Sequence, residues 1–224
     1  SSSLGKASGV KQVVKIAVPL LGTALALAPC FAMRFWNIGG EGQITMGAVA
    51  VSFFALNYAG SIPSPLLLLL MGIFSILFGA AWAAIPASFK ARWGTNETLF
   101  TLMMNYIAIG IVGWLQGGPW EGKPGSQIIP MFDQAAVLPK VFGVHCGWII
   151  VLLLTAGMYI YMNYTKQGYE IAVLGESENT ARYAGMNVAK VTIRTACLSG
   201  GICGLIGFMV CSGTNMTLYA DVAG

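Results

Sequence analysis

Asn37-Ile38-Gly39-Gly40-Glu41-Gly42-Gln43 lies between two apolar stretches, one from about Ile16 to Met33 and one from about Ile44 to Tyr58. Both stretches look membrane-embedded. A carboxylate, two amides and three glycines between them need a reason. Irregular backbone at membrane depth persists only where protein or a water-filled cavity satisfies its polar groups. An ionisable side chain there marks a functional site by default. The motif therefore predicts a membrane protein with a polar feature in or beside a path through the bilayer.

Composition agrees. Charged residues make up 9% of the chain, against about 25% in soluble domains. Hydrophobic residues make up 56%, and the mean hydropathy is +0.73. A soluble chain of this length would need a charged surface that this sequence lacks. The net charge is +4, but Lys and Arg fall in a few blocks. That pattern sets membrane orientation and argues against nucleic-acid binding.

Cys30, Cys197, Cys203 and Cys211 lie in apolar segments, where cysteine packs as a small residue, and Cys146 sits at a membrane edge. With no C-x-x-C pair and the single histidine His145, no metal site is expected. His145 reads as an interfacial residue near Trp148. The chain begins at Ser1 without methionine and stops at Gly224 just after a polar stretch. It reads as a fragment of a longer membrane protein, truncated at both ends.

A membrane-spanning helix needs about 20 mostly apolar residues. Six candidates follow: 13–35 with Pro19 and Pro29 inside, a short 43–58, then 64–89, 97–115, 146–163 and 188–212. The predicted fold is all-α, a polytopic transmembrane bundle with a broken or half helix near 37–43. The short basic linker 90–94 and the stretch 163–187, flanked by Lys190 and Arg194, read as cytoplasmic. The Pro- and Gly-rich stretch 116–145 reads as external. Alternation then places the N-terminus outside, although it carries Lys6, Lys11 and Lys15. A missing upstream helix or a re-entrant second segment would each account for them. Gly200, Gly204 and Gly207 place small residues on nearly one face of the last segment, and Ala80 and Ala84 do so in the third. Such faces let helices approach closely in lipid.

Three constellations carry chemistry. In the first, Asn37 and Gln43 can each donate and accept hydrogen bonds, as a polyhydroxyl or nucleobase ligand needs. A broken helix there would present backbone dipoles to a solute. The plainer reading is a turn in which Asn and Gly end one helix and Glu41 favours the dipole of the next. In the second, Thr95 or Asn96 caps a helix whose first turn holds Glu97. Asn105, eight positions on, lies close to the same face. It is expected to face the bundle or a pore. In the third, 175–187 reads as a short helix with Ser177 as N-cap, Glu178 in the first turn and Gly185 at C′. Asn187 then caps the last segment. A cytoplasmic partner docking on that helix would explain it. A helix lying at the membrane interface is the alternative.

The motif 37–43, the run Asn96-Glu97-Thr98-Leu99-Phe100-Thr101-Leu102-Met103-Met104-Asn105-Tyr106-Ile107-Ala108, and Gly175-Glu176-Ser177-Glu178-Asn179-Thr180-Ala181-Arg182-Tyr183-Ala184-Gly185-Met186 together resemble bacterial ABC-importer permeases. Within that branched-chain amino acid/ribose-type superfamily, the chain is similar to the nucleoside and simple-sugar branch. The resemblance covers essentially the whole chain.

It implies a single permease domain over 1–224, with 163–187 as the cytoplasmic coupling loop and 116–145 external, plus further helices before and after. It implies a coupling helix at 177–185 that sits in a groove of an ATPase subunit. Ser177, Glu178, Arg182, Tyr183, Ala184 and Gly185 belong to that helix. Asn37, Glu41, Gln43, Glu97 and Asn105 become candidates for lining the solute path. The implied partners are cytoplasmic ABC ATPase subunits, a second permease subunit and an external substrate-binding protein, in a bacterial cytoplasmic membrane. Sugar permeases of the superfamily tend to carry an Asp-Leu-Ser-Val-Gly type motif where this chain has 37–43. The Glu-Gly-Gln form resembles the nucleoside branch, with monosaccharides as the alternative.

No G-x-x-x-x-G-K-[ST] occurs, so ATP and Mg would be used by the partner, and this chain is expected to bind no cofactor and catalyse nothing itself. The rivals are an ion-coupled secondary transporter or channel, for which intramembrane acids are sparse, and an intramembrane enzyme. For the latter there is no H-E-x-x-H, and Asp133 and Asp221 lie outside the helix centres.

Overall fold

A computed structural model describes the backbone at residues 7–141, 144–219 and 222, and side chains from residue 12 except 140–145. The side chains of Lys11, Lys140 and His145, and Lys6 and Asp221 altogether, lie outside the described residues. The elements in order are α1 (Ala7–Ala32), α2 (Gly40–Tyr58), α3 (Ser64–Trp93), α4 (Glu97–Gln116), a small hairpin of β1 (Lys140–Val141) and β2 (Val144–His145), α5 (Gly147–Tyr164), α6 (Lys166–Glu176), α7 (Glu178–Tyr183) and α8 (Val188–Val210). The all-α expectation holds; the hairpin is an ornament of one loop.

Five helices are long and apolar enough to cross a membrane: α1, α3, α4, α5 and α8 with its extension to Asn215. The sixth expected segment, α2, is not among them. It is instead the inner helix that the second apolar stretch builds: Gly42 through Ser52 are buried without a break. α8 is the axis. In its most apolar stretch 83% of the residues are buried, against 17–33% in the corresponding stretches of the other four. It packs on α1, α2 and α3.

The α3–α8 crossing is made by small residues. On α3 the buried positions Leu67, Met71, Ser75, Gly79, Ala83 and Ala87 recur every fourth residue. The face that approaches α8 most closely is thus Ser75–Gly79–Ala83, with the expected Ala80 beside it against Gly201. A Cβ on Gly204 would run into the Ser75 carbonyl, and one on Gly79 into the Gly200 carbonyl. On the other side of α8, Gly207 abuts the Ile44 carbonyl of α2. The expected stripe on α8 is therefore real but divided between two neighbours.

The helix ends sort onto two faces. On one, the loop that follows α4 is stitched to the end of α8 and the start of α3. Phe132 N–H donates to Met216 O (2.7 Å), Leu138 N–H to Ser212 O (3.0 Å) and Ser64 Oγ to Ala135 O (2.7 Å). The carbonyl of Ser212 is available because α8 ends in a π-turn, Cys211–Asn215. On the other face lie Arg34, Lys90, Arg92, Arg182 and the α6–α7 segment, around one cavity. We call these the loop face and the basic face. α1 starts beside β2 on the loop face, and α2 ends there, so α2 does not turn back. The re-entrant alternative is excluded, and the bundle gives no account of Lys15 near the loop face.

α1 does not end on Asn37 and Gly39, as the turn reading expected. It ends at Ala32 in a Schellman arrangement. Phe35 N–H donates to Cys30 O (2.9 Å) and Arg34 N–H to Phe31 O (3.0 Å). Arg34 takes the left-handed position, φ 58°, a place usually given to glycine. Cys30 and Phe35 meet in a second core with Met33, Ala87, Ile171, Val191 and Ala196, which supplies the apolar contact that accompanies this motif.

Candidate functional site: a half helix that begins inside the bundle

Residues 33–39 are irregular and lead from the basic face back into the bundle, where α2 begins at Gly40. Two neighbours fix the depth. Asn37 meets Ser199, eleven residues into α8, or about 16 Å along a helix of roughly 34 Å. Gly42 meets Asn105, eight residues into α4, or about 12 Å along roughly 30 Å. The crossing 33–58 is thus an irregular inner part followed by a helix that starts well inside the bundle, as the broken-helix expectation required.

The polar groups there are satisfied among themselves. Asn37 and Gln43 form a reciprocal amide pair: Gln43 Nε2 donates to Asn37 Oδ1 (3.0 Å) and Asn37 Nδ2 to Gln43 Oε1 (3.3 Å). Asn37 Nδ2 also donates to Ser199 Oγ (3.3 Å), and Asn37 Oδ1 accepts from Gly39 N–H (3.1 Å). Gly39, the N-cap residue of α2, has no side chain to offer. Asn105 takes over that task from a different helix. Its Oδ1 accepts from Gly42 N–H (2.8 Å), and its Nδ2 donates to Ile38 O (3.0 Å). Gly42 has to be glycine here, because a Cβ would stand 2.9 Å from Asn105 Oδ1 and 3.1 Å from Asn105 Cα. Thr101 completes the clamp: Ile38 N–H donates to its Oγ1 (3.3 Å).

The five expected path residues therefore separate. Asn37, Gln43 and Asn105 are 1–4% exposed and committed to one another's surroundings. Glu41 is exposed, and no described side chain pairs with its carboxylate. It opens into a cavity of about 530 Å³ between α1, α2 and α8, otherwise lined by Ile16, Pro19, Leu20, Thr23, Ile44, Ile206, Val210 and Val222. Glu97 points elsewhere. It pairs with Lys90 (2.8 Å) on the wall of the 740 Å³ cavity of the basic face. Residues 97 and 105 do lie close to one face of α4, as their spacing predicted. Thr101 and Ser199 were missed. Thr101 stands midway between two residues that were singled out, at the i+4 spacing, which is the signal that would have found it.

The α6–α7 segment forms as its caps predict. Ser177 Oγ accepts from Thr180 N–H (3.3 Å). α7 ends with Gly185 at φ 74°, Met186 N–H donating to Ala181 O (3.0 Å). Asn187 Oδ1 accepts from Lys190 N–H (3.0 Å) and starts α8. α7 is six residues long. It buries Ala181 and leaves Glu178, Arg182, Tyr183, Ala184 and Gly185 exposed; Tyr183 at 94% is as open as a side chain can be. Among the described residues no three His, Cys, Asp or Glu side chains gather as a metal site would require.

Known proteins match along nearly all of the chain. It is 32% identical to the glucose ABC transporter permease protein TsgB13 of Haloferax volcanii, over 96% of this chain and 60% of the relative. It is 30% identical to the guanosine ABC transporter permease protein NupP of Bacillus subtilis, over 96% and 62%. It is 26% identical to the nucleoside ABC transporter permease protein NupB of Lactococcus lactis, over 92% and 60%. No solved structure matches. The chain spans about 60% of the length of these relatives. The model of the branched-chain amino acid transport system permease component matches residues 10–221, and the chain belongs to that family of multi-pass membrane permeases.

Proposed function

We propose that this chain forms membrane-spanning permease structure of an ATP-driven ABC importer that carries nucleosides across the bacterial cytoplasmic membrane by alternating access. The observation that carries this reading is the half helix beginning inside the bundle, with its N-terminus held by a buried amide cluster and its one free carboxylate in an apolar cavity. Half-helix ends near the bilayer centre are where transporters meet polar solutes. The partners in this reading are ABC ATPase subunits on α7, a second permease subunit and an external binding protein. ATP and Mg belong to the ATPase.

The lining favours a nucleoside over a monosaccharide. A carboxylate is an acceptor only, and Thr23 Oγ1 already donates to Pro19 O (2.9 Å). The remaining walls are aliphatic. A hexose would leave most of its hydroxyls unpaired there, at a cost of about 1–3 kcal/mol each; a nucleoside exposes to it only the fewer hydroxyls of its ribose. A nucleobase offers flat apolar faces and N–H donors to the carboxylate. The glucose relative keeps the monosaccharide reading in the comparison.

In this reading Asn37, Gln43 and Asn105 shape the site and Glu41 faces the solute, while Glu97 guards the inner mouth. Glu41→Gln is expected to lower uptake of a labelled nucleoside about tenfold, the loss of roughly 1.4 kcal/mol from one charge-assisted hydrogen bond. Protein level and melting temperature should not change, because the side chain is exposed and unpaired. Uptake at the parental rate would remove Glu41 from the path.

A further inference from the structure

Among the described residues, an ion pair joins α6 of the basic-face segment to α8, the helix that carries Ser199 to the half helix. Arg194 Nη2 of α8 donates to Glu170 Oε2 of α6 at 3.0 Å, with the two side chains 28% and 16% exposed. Both line a cavity of about 300 Å³ with Lys166, Lys190 and the Gly185–Asn187 turn that ends α7. Arg194 Nε is buried with no partner. Tyr161 of α5 also stands beside this guanidinium, but Glu170 is its one charge partner among the described residues. Removing either partner leaves an uncompensated charge.

α6 joins α7 at the Ser177 elbow. Its Gly175 abuts the Ala32 carbonyl at the end of α1, and its Ile171 packs in the second core with Val191 and Ala196 of α8. Five residues beyond Arg194, α8 presents Ser199 to Asn37. A displacement of α7 thus reaches the amide cluster at the start of α2 through a rigid helix, provided α6 and α8 move together. Apolar contact lets two helices slide. A charge pair of fixed geometry does not.

We infer that Glu170–Arg194 is the clutch that locks α6 to α8, so that movement of α7 is passed to the half helix at 37–43. Neither residue touches solute or nucleotide; both are positioning residues. The inference rests on the reading of 177–185 as the ATPase-docking element.

The test is a double-mutant cycle in the full-length permease, reconstituted with its ATPase and binding protein in vesicles. Three quantities are read for Glu170→Gln, Arg194→Gln and the double variant: ATPase bound per permease, basal ATP hydrolysis, and stimulation of hydrolysis by solute-loaded binding protein. Each single variant should bind the ATPase normally, keep basal hydrolysis and lose about tenfold in stimulation, within the 5- to 150-fold range of coupling between sites. The double variant should lose no more than the worse single. Arg194→Lys, which keeps the charge, should retain stimulation to within about threefold.

Stimulation that survives in both single variants overturns the clutch, as do losses that multiply in the double variant. A loss as deep in Arg194→Lys as in Arg194→Gln overturns it too; where the glutamine variants do not assemble, a loss of about tenfold in Arg194→Lys against the parental protein overturns it. The docking reading fails separately. Arg182→Glu should release the ATPase; if it does not, α7 is not the docking element, whatever the cycle shows.

Discussion

Gly204→Ala is expected to lower the melting temperature of the full-length protein by about 6–12 °C, while Gly110→Ala does not lower it, since alanine in an open helix interior is favoured over glycine. The added carbon on residue 204 would overlap the Ser75 carbonyl and stand 3.2 Å from Gly79 Cα, whereas nothing lies within 4 Å of one on Gly110. Backbone cannot swing aside as a flexible side chain can, so α3 and α8 must separate. Overpacking of this kind costs about 1–3 kcal/mol and sometimes more. At the upper end, about 2–4 °C per kcal/mol for a chain of this size gives the stated shift. The damage should spread, because Gly204 also carries the approach of Gly47 on α2. Thermal unfolding in detergent measures the pair directly. Equal melting of the two variants would mean that the α3–α8 crossing is looser than described.

Asn105→Leu is expected to abolish uptake and to destabilise the protein by about 2–6 kcal/mol. Leucine keeps the branched shape of asparagine, with bulkier methyls, but strands two buried backbone groups, Gly42 N–H and Ile38 C=O, each worth about 1–3 kcal/mol when left unpaired. No water from the bilayer core can replace them. The neighbouring change Met104→Leu, also buried, keeps volume and polarity and should cost less than about 1.5 kcal/mol. Uptake and melting measured on both variants separate loss of the clamp from general disturbance of α4. A normal Asn105→Leu protein would show that the N-terminus of α2 does not depend on a cap from another helix.

What the sequence made legible follows the range of the interactions. The caps Ser177, Gly185 and Asn187 were readable because each acts on a residue within a few positions. Apolar length located α1, α3, α4, α5 and α8 for the same reason. The start of α2 was placed three residues late, at Gln43, because Gly40-Glu41-Gly42 has poor helix propensity. What makes that turn helical is Asn105, 63 residues away, and no local rule contains it. The small face on α3 that comes closest to α8 was displaced by one residue, since Ala80/Ala84 and Ser75/Gly79/Ala83 have the same spacing and only the partner helix selects between them. The site divided along the same line. Its residue types pointed to a polar feature at membrane depth. Which amides are spent on one another and which carboxylate stays free depended on the packing of α4 and α8.

Nucleoside import is tested by uptake of a labelled nucleoside in cells with and without the gene, in the presence of excess unlabelled ribose and glucose. The expected result is gene-dependent uptake that unlabelled nucleoside suppresses and neither sugar does. Gene-dependent uptake of a labelled sugar, with no gene-dependent nucleoside uptake, would contradict it.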